Sequence, residues 1–146
     1  MDEDIHASAV RLQLLATRML RLARSVHGDH KLTSAQYSAM SVLHERGPLP
    51  LGELARAERV SHPTMSRIIG GLAKLSLVAR PPEASDRRLR HVALTPEGRV
   101  LYEQVASNRV AIMGAIIAKL TPTTRADVLE VVTRVVSDIE DGLGQD

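Results

Sequence analysis

Ser61-His62-Pro63-Thr64-Met65-Ser66-Arg67-Ile68-Ile69-Gly70-Gly71-Leu72 decides the fold together with three downstream stretches: Leu77-Val78-Ala79-Arg80, then Ser85-Asp86-Arg87-Arg88, then His91-Val92-Ala93-Leu94-Thr95-Pro96-Glu97-Gly98. Ser61 is an N-cap residue at the head of an apolar-periodic run. Met65, Ile68, Leu72 and Leu75 recur at helical spacing and are expected to face a core. That leaves Pro63, Ser66, Arg67, Gly70 and Lys74 on the opposite side, with His62 and Thr64 at the exposed N-terminal end. Leu77–Arg80 and Leu89–Leu94 flank Pro81 to Asp86 and read as a β-hairpin with a basic tip. A helix sized for a major groove, beside a loop with two guanidinium groups at its tip, suits duplex DNA.

Upstream, a short helix from about Leu51 to Glu58 turns Leu51, Leu54 and Ala55 inward, and the residues around Arg59 and Val60 join it to the helix capped by Ser61. Two helices so joined make a helix-turn-helix. Thr33 and Gln36 form a capping box that opens another helix, stopped by Gly47 and Pro48, and Leu49 to Leu51 suit a minimal edge strand. The first helix is expected from about Asp4 to Val26, with Ile5, Leu12, Met19 and Val26 at heptad spacing and Leu15 and Leu22 between them. Downstream, Thr95-Pro96 launches a long helix to about Leu120, and Thr121-Pro122 repeats the device for a last helix with Val128, Val132, Val135 and Ile139 on its apolar face.

With 146 residues, the chain suits one domain with its own core. It has no Phe or Trp and two Tyr, so the core is aliphatic. No cysteine is present, which excludes disulfides, thiolate metal sites and cysteine nucleophiles. The acidic Met-Asp-Glu-Asp start and the lack of a long apolar run lead us to expect a soluble, cytoplasmic protein with no membrane partner. The net charge of +2 is unevenly spread: residues 1–50 carry +1, residues 51–95 carry +4 and residues 96–146 carry −3. Sixteen of the 19 cationic residues are Arg, whose planar fork suits phosphates and guanine edges.

The fold class expected is therefore mainly α with a small β-hairpin: a winged helix-turn-helix at residues 31–95, flanked by N- and C-terminal dimerisation helices at 1–30 and 96–146, all within one domain. A terminal helix of about 24 residues is roughly 36 Å long, whereas a lobe of about 65 residues has a radius of gyration near 11 Å. The terminal helices thus overhang the lobe. Their apolar residues Ile5, Leu12, Met19, Val128, Val132, Val135 and Ile139 call for a second copy of the chain, a homodimer.

Asp86-Arg87-Arg88 followed by Val92, Leu94, Thr95 and Gly98 resembles the wing signature of the MarR (multiple antibiotic resistance regulator) family of transcription factors. Leu54-Ala55, Ser61, Thr64, Arg67 and Leu77-Val78 with Arg80 fit as well, and the resemblance covers nearly the whole chain. Ser76 departs from it, standing where the family commonly has Gly. Gly70 and Gly71 each cost a helix interior about 1 kcal/mol.

The resemblance implies a sequence-specific regulator on a pseudo-palindromic operator in double-stranded DNA, a repressor by default, released by a small aromatic or amphipathic ligand. The expected DNA-contacting set is Ser61, His62, Pro63, Thr64, Ser66, Arg67, Gly70, Lys74, Arg80, Asp86, Arg87, Arg88 and Arg90, with one wing Arg entering the minor groove while Asp86 steadies an Arg. The candidate ligand set is Arg21, Arg24, Tyr37, Met40 and His44. No cofactor, metal or catalytic residue is expected, since no nucleophile elbow, phosphate loop or metallohydrolase motif occurs. Two alternatives stand beside this reading. One is a winged helix that binds protein; the other is a metal-responsive regulator using His27, Asp29, His30 and His44.

Overall fold

The computed structural model describes residues 3–25, 32–79 and 91–143. In chain order these form α1 (Glu3–Ser25), α2 (Ser34–Arg46), β1 (Leu49–Pro50), α3 (Leu51–Ala57), α4 (His62–Lys74), β2 (Val78–Ala79), β3 (His91–Leu94), α5 (Pro96–Ile117) and α6 (Pro122–Leu143). The order and type expected from the sequence hold throughout, as a mainly helical chain with one small sheet. Packing divides the chain into two compact units, Met1–Ala106 and Ser107–Asp146, and the division falls inside α5.

In the first unit each element begins and ends for a local reason. Thr33 Oγ1 accepts from the Gln36 amide while Gln36 Oε1 accepts from the Thr33 amide, the reciprocal box expected at the head of α2. Gly47, at φ +79°, ends the helix. Antiparallel pairing gives a three-stranded sheet in the order β1-β3-β2, with Leu49 opposite Val92 and Val78 opposite Leu94. The paired base of the wing is therefore in place. Its tip, residues 80–90, lies outside the described residues, and with it the expected placements of Arg80, Asp86, Arg87, Arg88 and Arg90.

Met40, Leu43, Leu54, Met65, Ile69, Leu72 and Val92 are the largest fully buried side chains, so the core joins α2, α3, α4 and the sheet. Tyr102 adds a face of α5 to it. Two sequence expectations for α4 need correction. Ile69, not Ile68, is the fully buried isoleucine, with Ile68 half-buried against the core; Leu75, expected inside, is 45% exposed. Leu75 is the C-cap, where the helix stops and its period no longer sets a side chain's direction.

In the second unit, the end of α5 tightens through bonds such as Leu120 N to Ile117 O at 3.0 Å. Thr121 Oγ1 then accepts from the Thr124 amide to start α6, and Arg125 Nη2 donates to Leu120 O across the turn. No helix among the described residues is long and apolar enough to cross a membrane.

Candidate nucleic-acid interface

The site is built on α4. Ser61, in extended backbone, caps the helix: its Oγ accepts from the Thr64 amide and lies 2.8 Å from Thr64 Oγ1. Pro63 sits in the first turn, where its missing N–H costs nothing. Because Met65, Ile69 and Leu72 are buried, the other face is turned outward. His62, Pro63, Arg67 and Lys74 are exposed on it, and Thr64, Ser66 and Gly70 are half-buried. Nothing lies within 4 Å of where a Cβ on Gly70 would stand, so the backbone at mid-helix is open to a close approach.

Two cations outside the expected DNA-contacting set stand just before this helix. Arg56 lies in the last turn of α3, and Arg59 occupies the turn that follows with a left-handed φ of +53°; both are exposed. Neither has an ion-pair partner among the described residues. Their signal was the charge excess of residues 51–95, to which both contribute.

Two of the candidate ligand residues come together. Met40 is fully buried, so it underlies the surface and does not line one open to solvent. Arg21 is exposed on α1, and the side chain of Arg24 lies outside the described residues. Tyr37 and His44 come together through a residue the sequence reading missed, Tyr102. The Tyr37 and Tyr102 rings stack with centroids 5.3 Å apart, and His44 tilts on Tyr102 at 4.6 Å. Tyr102 Oη is 3.0 Å from Ser41 Oγ, and His44 Nε2 is 3.3 Å from Glu103 Oε1. A clue was available, since the chain has only two tyrosines and both share this cluster. Of the histidine cluster weighed as a metal site, only His44 is described; among the described residues no group of three or more metal-ligating side chains gathers.

Comparison with known proteins agrees with this geometry. The MarR family model matches residues 32–89. An uncharacterized HTH-type transcriptional regulator of Mycobacterium bovis is 30% identical over 125 residues, 86% of this chain and 87% of that one. The HTH-type transcriptional repressor MdtR of Bacillus subtilis is 31% identical over 90 residues, 62% of this chain and 58% of its own. Among solved structures, Staphylococcus aureus MarR in complex with salicylate and kanamycin superposes with a TM-score of 0.80 over 95% of each chain, at 18% identity, which speaks for the fold alone.

Proposed function

The chain belongs to the MarR family of helix-turn-helix transcriptional regulators, and from that premise we propose that it is a homodimeric repressor of a pseudo-palindromic operator, released by a small aromatic or amphipathic ligand. The observation that carries the DNA reading is the outward face of α4. A capped N-terminal turn with Ser61, His62, Pro63 and Thr64, then Ser66, Arg67, Gly70 and Lys74, stands opposite a fully buried Met65-Ile69-Leu72 face. Such a helix offers its first turns to base edges and its cations to phosphates. Arg80, Arg87, Arg88 and Arg90 of the wing would complete the interface, one Arg entering the minor groove while Asp86 steadies an Arg. Residues 31–95 form the DNA lobe, and residues 1–30 and 96–146 form the dimerisation region.

Release by a ligand rests on the half-buried Tyr37 and His44 rings packed on Tyr102, and on a protein of the same fold having been solved with salicylate and kanamycin. A ligand releases DNA only by binding unequally to the DNA-competent and incompetent arrangements.

A gel shift with duplex from the promoter of its own gene, against excess random competitor, tests the DNA reading. Arg67→Ala is expected to weaken binding by about 1–3 kcal/mol and, if the contact is to phosphate, to lower the salt slope by about one. Equal retention of specific and random duplex by the wild type would sink the proposal.

A further inference from the structure

We propose that Thr95 is a positioning residue for DNA binding, its hydroxyl locking the C-terminal end of the recognition helix α4 to the first turn of α5. The proposal rests on the DNA-binding reading above. Four contacts meet at this point. Thr95 Oγ1 accepts from the Gly98 amide at 2.9 Å, which caps α5. The same hydroxyl donates to Ser76 O at 2.7 Å. Thr95 N donates to Leu77 O at 3.1 Å. Gly98 packs so closely on Leu77 that a Cβ there would stand 1.9 Å from Leu77 O.

Ser76 and Leu77 are not ordinary loop residues. Ser76 N donates to Ala73 O and Leu77 N to Leu72 O, the pair of hydrogen bonds of a Schellman ending, with Ser76 in the left-handed position at φ +59°. The last carbonyls of α4 are thus satisfied by Ser76 and Leu77, and the carbonyls of those two residues are satisfied by Thr95. Rotation of α4 about its C-terminal end stretches the bond to Thr95. A helix that reads base edges with its N-terminal turn amplifies any such rotation along its 13 residues. Capping alone needs only an acceptor at position 95. Positioning of α4 also needs a donor, and that difference makes the two roles separable.

The test uses the full-length chain and a duplex enriched by the wild-type protein from a random-sequence pool. Binding is read by fluorescence anisotropy well below the melting temperature of every variant. Thr95→Ser keeps both bonds and is expected to bind within about twofold of wild type. Thr95→Asp keeps a cap acceptor but has no proton to give Ser76. It is expected to stay folded and to bind about three- to tenfold more weakly, because a lost hydrogen bond lowers the population of the competent orientation. Thr95→Val, isosteric and without either bond, is expected to show the same loss in its folded fraction. Wild-type affinity in folded Thr95→Asp or Thr95→Val would overturn the proposal. Failure of the wild type to enrich any duplex would instead strike the DNA-binding reading on which it depends.

Discussion

At the scale of single residues, two positions near the end of the recognition helix carry opposite lessons about backbone conformation. Gly98 is required by space: a methyl there would stand 1.9 Å from Leu77 O, and both partners are backbone, so neither side gives way cheaply. Gly98→Ala is expected to lower stability by about 3 kcal/mol, at the upper end of overpacking costs, as read by chemical denaturation. A loss under about 1 kcal/mol would mean that α5 can move away from the Leu77 backbone at little cost. Ser76 is the reverse case, a residue with a Cβ held at φ +59° where glycine is at ease. Relief of the left-handed penalty, about 1–2 kcal/mol, exceeds the extra chain entropy of glycine, about 0.5–1 kcal/mol. Ser76→Gly should therefore raise stability by about 0.5–1 kcal/mol, measurable as a shift in melting temperature. The sequence pointed to Ser76 as a departure from its family. That the backbone keeps the glycine-like conformation regardless follows from the two bonds to Ala73 and Leu72.

At the scale of elements, helix starts were legible because caps are local: Thr33, Ser61, Thr95 and Thr121 each accept the amide expected of them. The inner face of α4 was harder to read. Ile68 and Ile69 both satisfy a helical period with Met65 and Leu72, and only the position of α2 and α3 decides which goes fully inside. The ligand cluster was half legible for a similar reason. Tyr37 and His44 share α2, whereas Tyr102 is brought to them from α5, 61 residues beyond Ser41. On the outward face of α4, Gly70 carries its own prediction. A methyl there meets nothing within 4 Å, so Gly70→Ala is expected to stabilise the free protein by about 1 kcal/mol through helix propensity. If the bare backbone serves close approach to DNA, the same substitution weakens operator binding while the melting temperature rises. Opposite signs in the two measurements separate an interface glycine from a merely tolerated one, and a parallel rise in both would remove Gly70 from the interface.

At the scale of the whole molecule, the folded chain leaves a large apolar surface uncovered. Among the described side chains of α1 none belongs to the core, and Ile5, Leu12 and Met19 are each more than half exposed, Met19 at 66%. In the second unit Val132 and Ile139 are 53% and 54% exposed, and Val128 and Leu129 lie open beside them, with Val135 half-buried. Burying one such side chain stabilises by about 1.5–3 kcal/mol, so a row of them left in water is a large unrealised gain, and a second copy of the chain supplies an apolar surface of the same kind. The two possibilities respond differently to charge. On a monomer, Val132→Glu and Ile139→Glu change exposed positions and move stability by no more than about 0.5 kcal/mol. On a homodimer they place carboxylates in a desolvated interface and weaken association. The wild type is therefore expected to show twice the chain mass in light scattering and a melting temperature that rises with protein concentration. The double variant is expected to lose both the doubled mass and the concentration dependence. A wild type that scatters as a single chain at high concentration, with a melting temperature independent of dilution, would leave the exposed faces of α1 and α6 unexplained by self-association.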